Sequence, residues 1–373
     1  MKFQLLEDFL KANLNHLQEA QLSFSNKFIN DQQSALLGAK LKNCKHLENL
    51  FINLSGNNIG TYGITHIANG IGSCLKLQKL DFTITGFSFI QINSQNHIDS
   101  KGAIFLGKNL GLCVNLVSLS INLENNQIGD IGAFNLVKDL NRCKYLQSIE
   151  LQLLVNQIGD KGAFQLGEGL GKCKNLQNLD LNLSGNNINE NGASEFAKGL
   201  SKMQELRYLK LDFYGNAIKK QGGYDIGASL RKMTNLQMLH LELSSNQIQC
   251  KGASGLGEGI QHCQNLTDLR LYLDSNYIGQ KGVQDLFQGI VISRNIKNLI
   301  LDLNNLNQVY FEDVCKCCKI LKNSQNLQTL KFFFNSQQIV DHLKSKQSFS
   351  SLKKGLMKSK RLTFLKIYDK LFY

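Results

Sequence analysis

The chain has 373 residues, 42% of them hydrophobic and 19% charged, so it is long enough to bury a substantial core and too polar for a membrane protein. Its 42 Lys and Arg outnumber 29 Asp and Glu, and the formal net charge of +13 raises nucleic acid or an anionic surface as a partner. Glu7 and Asp8 stand where a signal peptide requires an apolar stretch, and no run reaches the roughly 20 apolar residues of a membrane span. We therefore expect a cytoplasmic protein with reduced cysteines.

The first segment, residues 1–16, has the spacing of a short helix. Leu6, Phe9 and Leu10 fall on one helical face. A regular array follows, and its terminal unit must be covered because it would otherwise expose its core face. The sequence therefore predicts an N-terminal capping helix in this segment.

Residues 17–358 repeat with a period of 30 residues. Cys44 and Cys74 lie 30 residues apart, and the same phase continues from Cys113 through Cys263. The step from Cys74 to Cys113 is 39 residues, which marks an insertion of nine residues at 87–95. About 11 copies fit into the range, so we predict a stack of similar units.

One copy shows how each unit is expected to fold. Leu179, Leu181 and Leu183 alternate with polar residues, which predicts a strand buried on one face. Asn186 follows, and we expect its amide to bind loop backbone and to make the turn in a chain that has no proline. The apolar stripe of a helix comes next, formed by Ala193, Phe196, Ala197 and Leu200. Strands stack at about 4.8 Å and helices at about 8 to 10 Å, so the predicted fold is an α/β solenoid, a horseshoe with a parallel β-sheet on its concave face and helices on its convex face.

The copies share the pattern L-x-x-L-x-L-x-L-x-x-N-x-I-G-x-x-G-A-x-x-L-G-x-G-L-x-x-C. This pattern covers nearly the whole chain and resembles the leucine-rich repeat, specifically the ribonuclease-inhibitor-like type of Ran GTPase-activating proteins and NOD-like receptors. It departs from those families in a strand that is longer by two residues, and the 30-residue variant looks like a product of an AT-rich protist genome. The resemblance is specific for the fold and almost silent about function.

The ten cysteines raise the question of a metal or disulfide site. Met203 and Met233 occupy the same phase of the repeat as six of them, which indicates a small buried apolar position. Those six are Cys44, Cys74, Cys113, Cys143, Cys173 and Cys263. The cluster at 315–318 could hold zinc or act in redox chemistry, but its helical spacing favours core packing.

No catalytic motif accompanies the repeats. Gly167, Gly169 and Gly171 imitate a phosphate-binding loop, but they fall late in a predicted helix, whereas such a loop joins a strand to the start of a helix. Signatures of nucleotide loops, zinc proteases, serine hydrolases and kinases are absent from the sequence. We therefore predict no enzymatic activity, no cofactor and no metal.

Positions between the strand leucines should face the concave surface, where repeat folds usually bind. In three successive copies these positions combine charged and aromatic side chains, and Tyr and Arg are the types that most often anchor interfaces. The predicted partner-binding residues are Lys210, Asp212, Tyr214, His240, Glu242, Arg270, Tyr272 and Asp274. The alternative is an ordinary solvated strand surface whose charges pair across strands.

Two further segments stand out. The insertion at 87–95 carries four large apolar residues, which either fold over the repeat core or protrude as a contact loop. Residues 359–373 contain Leu362, Leu365 and Ile367, which predict a C-terminal capping strand. The basic charge concentrates at the same end of the chain, in Lys353, Lys354, Lys358, Lys360 and Arg361.

These features together predict a non-catalytic scaffold that binds a protein on its concave sheet or edge loops, as a free protein or as a subunit of a larger assembly. The resemblance to Ran GTPase-activating proteins implies an alternative, the regulation of a small GTPase, although the acidic C-terminal tail typical of that family is absent. A third alternative is RNA or anionic-surface binding through the basic end, while nucleic acid is not expected as the main partner.

Overall fold

The computed structural model describes residues 1–86, 96–304, 320–321, 324, 326–334 and 364–369. It divides into two compact units, Met1–Asn187 and Ile188–Tyr373. The insertion at 87–95 and the cysteine cluster at 315–318 lie outside the described residues. The same holds for the basic residues Lys353, Lys354, Lys358, Lys360 and Arg361.

Strands and helices alternate along the first unit. Its described strands are β1 (Lys2–Phe3), β2 (Glu19–Ser23), β3 (Asn49–Asn53), β4 (Lys79–Thr83), β5 (Ser118–Asn122), β6 (Ser148–Gln152) and β7 (Asn178–Asn182). Its described helices are α1 (Leu6–Lys11), α2 (Asp31–Leu41), α3 (Thr61–Ile71), α4 (Ser100–Leu110), α5 (Gly129–Val137) and α6 (Asp160–Leu170). Helix α1 lies in the segment for which the sequence predicts a cap.

The second unit continues the alternation. Its described strands are β8 (Tyr208–Asp212), β9 (Met238–Glu242), β10 (Asp268–Tyr272), β11 (Asn298–Asp302), β12 (Thr329–Phe334) and β13 (Phe364–Asp369). Its described helices are α7 (Glu190–Leu200), α8 (Lys219–Leu230), α9 (Gln249–Ile260) and α10 (Gln280–Ile292). Strand β13 falls within the range 359–373, where the sequence predicts a capping strand.

Within each unit, every strand pairs in parallel with the next strand of the chain. Most pairings set residues 30 apart side by side, as Leu239 with Leu269, and the insertion lengthens the step to 39 between Leu80 and Leu119. The step becomes 31 at β12, where Leu299 lies opposite Leu330. A parallel sheet of strands alternating with helices confirms the predicted α/β repeat fold.

The core is built from the alternating strand leucines and the helix stripes. In β9, Leu239 and Leu241 are buried, whereas His240 and Glu242, which alternate with them, are half-buried. The predicted strand through Leu183 is one residue too long, because β7 ends at Asn182. Leu183 is nevertheless fully buried, since it enters the core as the loop begins.

A column of buried asparagines makes the turns after the strands. The side-chain Nδ2 of Asn186 donates to the carbonyl oxygen of Leu153 at 3.0 Å, and its Oδ1 accepts from the N–H of Ile158 at 2.9 Å. Nδ2 also donates to the carbonyl oxygen of Leu183 in its own repeat at 3.0 Å, so one amide satisfies backbone groups of two neighbouring repeats that would otherwise be buried without partners. The predicted role of Asn186 is confirmed.

The cysteines in phase with the repeat form a second buried column. Met203 and Met233 are only 4% and 1% exposed at the equivalent positions, which confirms that this is a core site. The thiol of Cys74 donates to the carbonyl oxygen of Leu41 at 3.6 Å, and burial raises its pKa to about 12. A thiol with such a pKa is neutral at physiological pH and therefore a poor nucleophile and metal ligand.

Glycines inside the helices allow neighbouring helices to pack closely. A Cβ atom on Gly227 of α8 would overlap the carbonyl oxygen of Gly255 in α9. A Cβ on Gly259 would likewise overlap the carbonyl of Gly227. These residues are therefore glycines for steric reasons, and the glycine run at 167–171 of the first unit also lies in and just after a helix, α6.

Candidate functional site

The candidate site lies on the open face of the second unit, which we define as the side chains that alternate with the buried leucines of β8 to β12. Strand pairing places Lys210, His240 and Arg270 side by side. It also places Asp212 beside Glu242, and Glu242 beside Tyr272. The predicted residues of three repeats are therefore brought together by the sheet.

The register sorts these side chains into two rows that run across the strands. We call Lys210, His240 and Arg270 the cationic row, after the charges of Lys210 and Arg270. We call Asp212, Glu242, Tyr272 and Asp302 the acidic row, after its three carboxyl groups. On β12, Lys331 follows beyond Ile300 in line with the first row, and Phe333 follows Asp302 in line with the second. Two parallel rows of opposite chemical character therefore lie next to each other.

An aromatic contact connects the two rows. The rings of His240 and Tyr272 lie with their centroids 5.2 Å apart and their planes inclined by 38°. Both side chains are half-buried, whereas Arg270 beside them is exposed. The contact holds two aromatic side chains at the centre of the face. It restricts their rotamers, so less conformational entropy is lost when a partner binds.

The carboxyl group of Glu242 on this face has a strongly raised pKa. Burial removes water from the carboxylate and raises its pKa to about 7, and the negative charges of Asp212 and Asp302 act in the same direction. Hydrogen bonds from Ser244 oppose the shift, and the backbone N–H of this serine donates to Oε1 at 2.8 Å. The charge of the acidic row therefore changes near neutral pH.

Tyr272 is the aromatic member of the acidic row. Burial raises the pKa of its phenol, and the charges of Glu242 and Asp302 add to the effect while Arg270 opposes it. The phenol therefore stays protonated at neutral pH, so its hydroxyl can donate a hydrogen bond to a partner as well as accept one.

Two predicted residues lie outside the strands. The sequence pattern predicts Tyr214 and Asp274 between strand leucines, but β8 ends at Asp212 and β10 ends at Tyr272. The N–H of Tyr214 donates to Oδ1 of Asp212 at 2.9 Å, which starts a turn and leaves the Tyr214 side chain 52% exposed. Both residues therefore border the two rows at the ends of the strands.

The first unit carries different chemistry at the same positions of the repeat. Ser120, Glu150 and Asp180 stand where the second unit has its cationic row. The Ser120 hydroxyl donates to Oε2 of Glu150 at 3.2 Å, and Nε2 of Gln152 lies 3.3 Å from Oδ1 of Asp180. On these three strands the first unit therefore has no Lys, Arg or His at the positions of the cationic row. Elsewhere in the first unit, Nζ of Lys79 on β4 lies 5.0 Å from the centroid of the Phe51 ring on β3.

The sequence also predicts that Asp302, Lys331 and Phe333, which alternate with later strand leucines, face the concave surface, although they are not among the predicted partner-binding residues. The sorting of these side chains into two rows was not predicted, because it depends on the strand register, which sets Asp302 opposite Tyr272 and opposite Phe333.

Two other features, a metal site and a membrane-spanning helix, are not found among the described residues. These residues contain no group of three or more His, Cys, Asp or Glu side chains that could hold a metal ion. Among the same residues, no helix is both long enough and apolar enough to cross a membrane.

A family model described as Leucine Rich repeat matches residues 119–137, 173–197 and 234–257. The protein carries leucine-rich repeats. The third matched range includes His240 and Glu242, so the candidate site lies on repeat structure. Leucine-rich repeats generally mediate protein–protein interactions and are typically non-catalytic. The comparison with curated proteins gives no match.

Proposed function

We propose that this protein is a non-catalytic interaction scaffold, free or as a subunit of a larger assembly, and that the open face of the second unit binds a protein partner. The observation that carries the proposal is the pair of rows, with the His240 and Tyr272 rings in contact at their centre. Aromatic residues and Arg are the types that contribute most to binding when they lie centrally in an interface.

The two rows also favour one orientation of the partner. A partner with acidic groups over the cationic row and basic groups over the acidic row would be attracted in that orientation and repelled after a half-turn. The rows follow from strand register, so the backbone holds their spacing, and little further ordering is required on binding.

Affinity purification with a tagged full-length chain tests the proposal. The triple variant Tyr214→Ala, Arg270→Ala and Tyr272→Ala removes the exposed and aromatic anchors. We expect the proteins recovered with the wild-type chain to fall about tenfold or more with this variant. The matched control is Lys220→Ala, Lys232→Ala and Lys297→Ala, which removes three exposed side chains from the same unit.

Circular dichroism and the thermal midpoint establish that both triple variants are folded. Equal recovery of partners by the open-face variant and the control would contradict the proposal. Recovery of RNA in place of protein, lost with the same open-face variant, would contradict it as well.

A further inference from the structure

Equivalent positions of successive repeats can be compared in the first unit, at the edge where each helix leads into the next strand. Exposed positions at this edge are polar in most copies. The position of Val117, for example, holds Gln78, Gln147 and Gln177 in neighbouring copies. Apolar residues replace polar ones at a set of such positions that we call the apolar edge, Leu75, Leu112, Val114, Val117 and Tyr145.

These residues are exposed to an extent unusual for their type. Leu75 and Tyr145 are 59% and 62% exposed, and the other three are also exposed hydrophobic residues. Nδ2 of Asn115 donates to the carbonyl oxygen of Leu75 at 2.8 Å. The backbone N–H of Val117 donates to the carbonyl oxygen of Gln78 at 2.8 Å. These bonds join neighbouring repeats, so the apolar edge groups exposed apolar residues of adjacent repeats.

A shallow depression of about 340 Å³ lies in this patch. Its lining residues are Glu48, Lys76, Gln78, Asn115, Val117 and Tyr145. The backbone carbonyls of Glu48, Gln78 and Val117 already accept hydrogen bonds from the following repeat. The depression therefore offers an apolar wall and side-chain polar groups, and it does not offer a free strand edge for a partner strand.

Positive charge surrounds the apolar edge. Lys45, Lys76, Arg142 and Lys144 are exposed there, whereas the acids Glu48 and Asp139 are half-buried. An apolar centre with a cationic rim complements a segment that has one apolar side chain between carboxylates. The depression can receive that side chain between Val117 and Tyr145, which favours a peptide over a flat lipid surface.

We propose that the apolar edge is a second interaction surface, which docks an acidic peptide segment of a partner protein through an aliphatic or aromatic side chain. This surface belongs to the first unit, whereas the open face belongs to the second unit.

A random library of 12-residue peptides displayed on phage tests the proposal with the full-length chain as bait. The edge variant is Leu75→Lys, Val117→Gln and Tyr145→Asn, in which each new residue already occurs at the same repeat position elsewhere in this chain. The matched control is Thr234→Lys and Gln237→Thr. It changes the second-unit residues at the repeat positions of Leu75 and Val117, and each new residue occurs at that position in another copy.

We expect the wild-type chain and the control to enrich peptides with an apolar residue flanked by Asp or Glu, and the edge variant to lose this enrichment. A synthetic peptide from the selection should bind the edge variant about tenfold more weakly in fluorescence anisotropy. Its binding to the wild-type chain should weaken at high salt, because the rim charges are screened.

The proposal would be overturned if the edge variant retained the enrichment or if the wild-type chain enriched basic peptides. A selection with no enrichment over the starting library would overturn it as well. So would wild-type binding to vesicles of phosphatidylcholine and phosphatidylserine that the edge variant loses, since the surface would then recognise lipid. The edge variant should still recover partners of the open face, so the two proposals fail separately.

Discussion

Glu242 lies directly opposite Asp212 on the neighbouring strand, so two carboxyl groups adjoin in one row of the sheet. The pKa of Glu242 is raised from 4.5 to about 7. Between these values the folded chain binds more protons at this site than the unfolded chain, so the contribution of Glu242 to stability falls as the pH rises through that window.

The variant Glu242→Gln stays neutral and keeps an acceptor for the Ser244 N–H. We expect its free energy of unfolding to exceed that of the wild type by about 1–2 kcal/mol at about pH 8, and the gain to vanish near pH 4. Urea titrations at both pH values measure the difference. Glu205→Gln controls for the loss of one negative charge, and an equal gain at both pH values would exclude titration of Glu242 as the cause.

Asn246 bridges neighbouring repeats from a fully buried position. Its Nδ2 donates to the carbonyl oxygens of Phe213 at 2.8 Å and Leu243 at 3.1 Å. We expect Asn246→Ala to lower the free energy of unfolding by about 2–4 kcal/mol, because buried backbone groups lose their partners. The exposed Asn235 donates to the Gln204 carbonyl at 3.3 Å, and Asn235→Ala should cost less than about 1 kcal/mol. Similar losses for the two variants in urea unfolding would contradict this account.

Gly227 is expected to tolerate no side chain. Its Cβ would overlap the carbonyl oxygen of Gly255, so Gly227→Ala must push α8 and α9 apart and should destabilise the chain by about 2 kcal/mol or more. Gly279 has an ordinary φ of −76°, and a Cβ atom there would have no atom of the described residues within 4 Å, so Gly279→Ala should be close to neutral. The thermal midpoints of the two variants decide the question, and a neutral Gly227→Ala would show that the helices can shift freely.

The thiol of Cys74 should resist alkylation in the folded chain. Burial raises its pKa to about 12 and shields it from reagent, as it does for Cys113 and Cys263. Treatment with N-ethylmaleimide at neutral pH followed by peptide mapping should leave these three unmodified, while the partly exposed Cys250 reacts. Modification of the three at the rate of Cys250 would contradict their placement in the core, and reaction of all in denaturant provides the control.

Much of the fold was predictable because each copy repeats the same pattern. The leucine alternation predicts the strands, the apolar stripe at Ala193, Phe196, Ala197 and Leu200 predicts the helix, and Asn186 makes the predicted turn. The strand end was misplaced because Leu183 is buried equally well in a loop, and burial pattern alone does not separate the two.

The candidate site was predictable only in part. Residue types and repeat phase identified Arg270 and Tyr272, but the rows depend on strand register, and the raised pKa of Glu242 depends on burial beside Asp212. The apolar edge emerges only when exposed positions are compared between copies. Regulation of a GTPase stays a prediction, which rests on the family resemblance alone. Binding of RNA stays a prediction as well, since the basic residues at 353–361 lie outside the described residues.

The buried asparagines bond to residues 33 positions earlier where the period is 30, as Asn186 with Leu153 and Asn246 with Phe213, and 42 positions earlier across the insertion, as Asn126 with Ile84. A duplication or deletion of one regular thirty-residue copy would therefore leave these asparagine bonds with equivalent partners. The sheet of that unit would gain or lose a single strand, and such a change within the second unit would lengthen or shorten the cationic and acidic rows by one position each. The number of repeats can therefore set the width of a binding face in steps of one strand, without a change in the core residues of each repeat.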